Sequence, residues 1–257
     1  MREKGNDTKS GVGYNMASMQ QLSPEALVQG LIWYVVFLFS TTCHEASHSL
    51  AAKWGGDLTA FRGGQVTLNP LPHMKREPFG MLVMPLLSFL LGGWMIGWAS
   101  APYDPFWQSR YPRRAAWMSL AGPGANFALM VLAAIGIRTG MIAGIFLQPR
   151  EVGFTNITEA VHSQQAVLTF AAMFISVLFF ENLLLGTFNL LPVPPLDGST
   201  GVTVLMSEKT ALRFLEFVRD PTFSMAGIVA AWFFFDKLFN PIFTFALNVL
   251  YPGARYG

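Results

Sequence analysis

His44-Glu45-Ala46-Ser47-His48 is the part of this chain best equipped for chemistry. At about 3.6 residues per turn, His44 and His48 share one helix face, where two imidazole nitrogens can reach one cation. Glu45 flanks the pair, close enough to act on a water at the metal without being a ligand. The motif follows residues 27–43, which carry no charge. Ionisable groups at membrane depth are expensive and mark functional sites. A catalytic zinc also needs a third protein ligand and an open fourth position. The candidates are His73, His162, Glu181, Asp197 and Asp236. Asp197 stands out. It follows an apolar segment and ends the run Pro192-Val193-Pro194-Pro195-Leu196-Asp197, where three prolines remove three backbone donors and preclude regular helix. Broken backbone at membrane depth is tolerated only where it is buried in protein or lines a wet cavity. An acid placed there is aimed at something.

Composition sets the surroundings. Of 257 residues, 52% are hydrophobic and only 12% are Asp, Glu, Lys or Arg, against roughly 25% charged in soluble domains. With a mean hydropathy of +0.40, this indicates an integral membrane protein. A net charge of +2 with scattered basic residues gives no footprint for nucleic acid. The single cysteine, Cys43, excludes an internal disulfide. Residues 1–23 are too long a polar lead for a secretory signal, and no small-x-small cleavage site follows the apolar run. They read as a mobile N-terminal arm, and residues 24–257 as one integral-membrane domain, with its core in 24–206 and a C-terminal membrane segment at 223–250.

The elements that must hold the motifs follow from local signals. Ser23 is placed to cap a helix, Pro24 fits its first turn, Glu25 suits its positive end, and Gly55-Gly56 stops it. In the connection after it, Gly63-Gly64 and the alternating Gln65-Val66-Thr67-Leu68 predict a short β-ribbon. Further apolar segments lie at about 79–101, broken by Pro85, Gly92-Gly93 and Gly97, and at about 114–137, 164–188 and 223–250, the last interrupted by Asp236-Lys237 and Pro241. The expected fold is an all-α polytopic membrane protein of about four to six transmembrane or re-entrant helices, with the ribbon after the first helix.

His44-Glu45-x-x-His48, Ala121-Gly122-Pro123-x-x-Asn126 and Asn189-x-x-Pro192-x-Pro194-Pro195-Leu196-Asp197-Gly198 together resemble the site-2 protease family of intramembrane zinc proteases, over about residues 25–206. Gly55 to Pro70, ending Thr67-Leu68-Asn69-Pro70, resembles its compact bacterial and archaeal branch. Two departures occur. His73-Met74-Lys75-Arg76-Glu77-Pro78 stands where that branch has His-x-Asp-Pro, and a Lys-Pro-Val-Pro element is not evident near residues 101–112. The resemblance implies one zinc per chain held by His44, His48 and Asp197, with Glu45 as general base. It implies that Asn189 and Asn126 line the active-site helices, Asn189 as a candidate oxyanion donor and Asn126 toward substrate. The substrate it implies is a transmembrane protein within the lipid bilayer.

Topology is constrained by parity. His44 and Asp197 sit near the far ends of their helices and must meet at one depth, so those helices run in the same direction. Two full crossings between them would separate the ligands, so one segment does not cross, and 79–101 is the one with the breaks. Ten lysines and arginines then fall on the catalytic side and six on the other, with Lys237 inside the last segment. Positive residues favour the cytoplasm, so the reading is a multi-pass protein of the cell membrane with its active site toward the cytosol. A free edge at Gln65, Val66 and Thr67 is expected to bind unwound substrate as an added strand. The rival readings are an ion or metal transporter and a non-catalytic membrane scaffold on the same fold. Neither requires a glutamate beside the first histidine, and no inverted repeat supports the transporter.

Overall fold

The computed structural model describes residues 23–219 and 221–256. Of the N-terminal arm expected at 1–23, only Ser23 lies among them. Ser23 Oγ accepts a hydrogen bond from the Ala26 backbone N–H at 3.2 Å and starts α1, Pro24–Gly55. Gly56 ends it in the left-handed region, φ 99°, with its N–H returned to the Ala52 and Lys53 carbonyls. At about 1.5 Å per residue, the 32 residues of α1 exceed the roughly 30 Å of a bilayer's hydrocarbon core. Leu27, Leu31, Val35 and Phe39 are spaced four apart and exposed, forming an outward apolar stripe. Ser40, Thr41, His44, Glu45, His48 and Ser49 are buried. The inward face of α1 is apolar in its first half, at Ile32, Trp33, Val36 and Phe37, and polar in its second.

Among the described residues, four helices are long and apolar enough to cross a membrane: α1, α6 (Pro112–Ile142), α7 (Ala166–Asn189) and Ala226–Leu250 within α10 (Pro221–Leu250). Short helices α2 (Thr59–Arg62), α3 (Pro70–Arg76) and α5 (Pro105–Arg110) lie between the first two crossings. Three further elements precede α10: α8 (Asp197–Gly201), a 3₁₀ turn (Val202–Leu205) and α9 (Glu208–Val218). The chain is an all-α polytopic membrane protein. Asp236-Lys237 and Pro241 were expected to interrupt the last segment, but α10 runs through them without a break.

The expected ribbon at Gly63–Leu68 is absent. Capping chemistry takes those residues instead. Gly64, φ 70°, turns the chain after α2. Gln65 is buried and its Nε2 donates to the Pro72 carbonyl at 3.2 Å. Thr67 Oγ1 accepts from Asn69 N–H at 3.1 Å, and Asn69 Oδ1 in turn caps α3 by accepting from Leu71 N–H at 3.0 Å. Residues 65–69 therefore form a side-chain-bonded turn with no free strand edge. Thr67 O and the buried His73 Nε2 are paired at 3.1 Å, so His73 closes this turn. The one sheet among the described residues pairs β1 (Phe146–Leu147) with β2 (Glu159–Ala160) in the α6–α7 connection.

Residues 79–104 double back. A π-helical turn, Phe79–Val83, leads into α4, Met84–Gly92. Gly93, φ 74°, reverses the chain, and residues 95–104 return without helix or strand. Ile96 N–H donates to Ser88 Oγ at 3.0 Å and Trp98 N–H to the Gly80 carbonyl at 3.2 Å. A Cβ at Gly80 would collide with the Trp98 carbonyl, and one at Gly97 with the Gly80 carbonyl, so only glycines allow this approach. After the return, Trp107 Nε1 and Arg114 Nη1 both donate to the Gly55 carbonyl, at 3.1 and 3.0 Å. The chain is back where α1 ended.

The other ends fix the remaining directions. Arg138 Nη1 near the end of α6 donates to the Leu250 carbonyl at the end of α10 (3.3 Å), and Tyr251 Oη donates to Ile157 O at 2.6 Å. Burial pushes the Tyr251 phenol up to about 12, so it stays a donor at neutral pH. Thus α1 and α7 run toward the Gly55 end, while α6 and α10 run away from it. Single-cysteine variants at Thr59, Lys75 and Tyr103, in a Cys43→Ser background, are expected to react with an impermeant maleimide from one side of the membrane. A cysteine at Glu151 is expected to react from the other. Labelling of positions 75 and 103 from opposite sides would overturn the doubled-back topology.

Candidate metal centre

Three ligand-capable atoms converge at the Gly55 end of the bundle. His44 Nε2 and His48 Nε2 lie 2.9 Å apart, and Asp197 Oδ2 is 3.0 Å from the first and 3.2 Å from the second. His44, His48 and Asp197 form the one group of three or more such residues found among the described residues. The ring centroids are 4.6 Å apart with planes at 80°, the disposition expected of i, i+4 neighbours on α1. Asp197 arrives from across the bundle. Leu196 and Asp197 open α8, and Gly198 packs against the Leu190 and Leu191 carbonyls so closely that a Cβ would strike them. Ser119 Oγ of α6 donates to Asp197 O at 2.8 Å and ties the turn down. Of the five candidates for a third ligand, Asp197 alone reaches the pair. His162 and Asp236 are exposed, and Glu181 is fully buried with neither oxygen hydrogen-bonded.

The protons on the two imidazoles can be assigned from their partners. The Leu178 carbonyl can only accept, so the group facing it at 2.8 Å is the Asn182 amide nitrogen, which also donates to Ser40 Oγ at 2.8 Å. Asn182 Oδ1 must then accept, and does so from Asn126 Nδ2 at 2.8 Å. That leaves Asn126 Oδ1 facing His44 Nδ1 at 2.6 Å, so His44 carries its proton on Nδ1. His48 Nδ1 faces the Met118 carbonyl at 2.7 Å and carries its proton there too. Both Nε2 atoms therefore point into one space with Asp197 Oδ2, and each can turn a lone pair on a cation placed there. This donor set of two neutral imidazoles and one carboxylate is one that zinc accepts, with the far nitrogen of each ring hydrogen-bonded as such ligands require. Gly122 gives the space: a Cβ there would collide with both rings.

Glu45 is buried between the two histidines on α1, and its Oε2 has no hydrogen-bond partner among the described residues. Together with His48 and Asp197 it lines a cavity of about 210 Å³. The wall opposite is the returning segment Ala99-Ser100-Ala101-Pro102-Tyr103, with Gln108, Ser119 and Thr200 around it. A buried carboxylate, an open cavity and three convergent ligand atoms can together hold a cation and move a proton beside it.

Other expectations sit differently. Asn126 is completely buried behind His44, bonds its Nδ1 and is not among the residues lining the cavity. Asn189 is half-buried at the end of α7, donates to the Leu185 carbonyl at 3.0 Å and does not line the cavity. Gln65, Val66 and Thr67 belong to the α2–α3 turn and do not line it either. Sequence reading missed Asn182, Ser40 and Gln108. Asn182 was findable, because an amide in the apolar stretch of α7 is itself a signal. Asn182→Leu leaves Asn126 Nδ2 and Ser40 Oγ unpaired and buried, at a cost of about 1–3 kcal/mol. Thermal unfolding in detergent should register this as a lowered Tm, and an unchanged Tm would contradict the relay.

Comparison with known proteins agrees with this geometry. The family model described as Peptidase family M50 matches residues 32–230. YwhC of Bacillus subtilis (strain 168), named as a zinc metalloprotease, is 28% identical over 196 residues, covering 72% of this chain and 77% of YwhC. Rip2 of Mycolicibacterium smegmatis, named likewise, is 31% identical over 162 residues, covering 63% of this chain and 52% of Rip2, so the match spans about half of that relative. Rip2 of Mycobacterium tuberculosis (Erdman) is 30% identical over 205 residues, covering 77% of this chain and 68% of that protein. No solved structure matches. The family match takes in both histidines, Glu45, Asn126, Asn182 and Asp197, and covers well over half the chain; this multi-pass membrane protein belongs to peptidase family M50.

Proposed function

We propose that this M50 member is an intramembrane zinc endopeptidase that cuts transmembrane protein substrates within or near the bilayer. One observation carries the reading: the buried convergence of His44 Nε2, His48 Nε2 and Asp197 Oδ2 beside an unpartnered Glu45 oxygen. The three ligand atoms would hold one zinc per chain. When bound, zinc supplies a Lewis acid that acidifies water and polarises a carbonyl. Glu45 takes a proton from water in the cavity and passes it to the departing amine. Its burial keeps bulk water from competing for that proton. The peptide bond of a transmembrane helix is internally hydrogen-bonded, so a substrate must unwind locally to present a carbonyl. The cavity wall at 99–103 lies outside any helix, next to the ligand set, where such a segment would have to enter.

The protein resides in the cell membrane with the site toward the cytoplasm. The support is the excess of lysine and arginine at the Gly55 end, which includes Lys53, Arg62, Lys75, Arg110, Arg113 and Arg114.

Glu45→Gln should retain about one zinc per chain and lose about 10²- to 10⁴-fold in cleavage of a fluorogenic single-span peptide. His44→Ala and Asp197→Ala should lose the zinc itself in metal analysis of detergent-purified protein. A Glu45→Gln protein that cleaves like wild type would remove the base assignment. An Asp197→Ala protein with full zinc would remove the ligand set. Cation flux in proteoliposomes without cleavage would favour the transporter.

A further inference from the structure

We propose that Gln108 is a substrate-binding residue whose side-chain amide, turned into the cavity by Arg219, donates a hydrogen bond to a backbone carbonyl of the peptide being cut. The inference rests on the peptidase reading above. Gln108 is only 4% exposed, yet it lines the cavity with Glu45, His48 and Asp197. Arg219 Nη2 approaches Gln108 Oε1 at 2.8 Å. A guanidinium has donors only, so the amide atom facing it must be the oxygen. The amide nitrogen is therefore on the other branch, with two hydrogens. It has no hydrogen-bond partner among the described residues, in a residue that lines the cavity.

The placement is rigid on both sides. Arg219 also donates to Ser109 Oγ at 3.2 Å and to the Pro105 carbonyl at 3.3 Å, so it grips α5 at three points. On the opposite flank, Trp107 fastens α5 to the Gly55 carbonyl at the end of α1, and the Asp104 N–H is held by Asp57 Oδ2 at 2.8 Å. Glu45 and Asp197 offer acceptors to the cavity. Gln108 offers donors, which suits the oxygen of a peptide carbonyl. A donor held in place before substrate arrives loses little freedom on binding.

The test uses the full chain in detergent with zinc content measured for every variant. Gln108→Met removes the donor. Gln108→Glu removes the donor but keeps an acceptor for Arg219. Arg219→Gln releases the amide to rotate. The probes are the fluorogenic single-span peptide, a dye-labelled peptidyl hydroxamate, and acetohydroxamate, which has no peptide backbone to engage Gln108. Gln108→Met and Gln108→Glu should each weaken peptidyl hydroxamate binding and lower kcat/KM about tenfold, with zinc content and acetohydroxamate binding unchanged. Arg219→Gln should lose less, and adding it to Gln108→Met should lose nothing further. Binding and cleavage by Gln108→Met within twofold of wild type would overturn the proposal, as would equal weakening of both hydroxamates. Wild type that binds neither hydroxamate would remove the peptidase reading itself, and this inference with it.

Discussion

Two buried imidazole nitrogens 2.9 Å apart, with a carboxylate oxygen beside both, need a cation or a proton among them. Hydrogen bonds from neighbouring helices decide which nitrogens these are. The Leu178 carbonyl fixes the Asn182 amide, which fixes Asn126, which fixes the proton of His44 on Nδ1. The Met118 carbonyl does the same for His48. Moving the Nδ1 proton of either ring to Nε2 would leave two acceptors facing each other at the far nitrogen, so what satisfies the Nε2 atoms must come from outside the rings, as a bound cation or an added proton. An unpaired buried polar contact costs more than the bond it replaces gains. The site is thus set for a cation by hydrogen bonds from three helices, α1, α6 and α7.

The same network explains the polar side chains that these helices bury beside their apolar core. Lipid provides no competing hydrophobic drive to hold helices together, so interhelical hydrogen bonds and close packing carry more of the association. Ser40, Asn126 and Asn182 bond across α1, α6 and α7 at the depth of His44. Gly122, and Gly186 against Phe127, allow the close approaches. Exposed leucine, valine and phenylalanine cover the outside. Adhesion and ligand orientation are therefore performed by the same side chains.

The doubled-back segment 79–104 links topology to chemistry. It returns the chain to the Gly55 end, which lets α1 and α7 run in the same direction and brings His44 and Asp197 to one depth. Its returning arm also builds the cavity wall at 99–103 and delivers α5 with Gln108. One departure from a simple up-and-down bundle thus meets the metal, the cavity and the proposed substrate donor together.

Sequence by itself determined the lipid setting, the i, i+4 histidine pair, the flanking glutamate, the caps of α1, and the need for a broken, proline-rich turn to carry Asp197. These are local properties: charge density, helical period and missing backbone donors are written residue by residue. It failed at Gln65–Thr67, where alternation implied a ribbon, because side-chain caps from Thr67 and Asn69 outcompeted strand pairing and no neighbouring strand was there to reward it. It did not show the partners of Asn126 and Asn189, which lie on other helices or on the residue's own helix backbone. It singled out Asp197, and only the tertiary structure brought that carboxylate to the histidines, showed which nitrogen of each ring faces it, and placed Gln108 along the cavity. Each of those outcomes depends on a hydrogen-bond partner far away in the chain, and spacing along one helix carries no information about what the next helix presents.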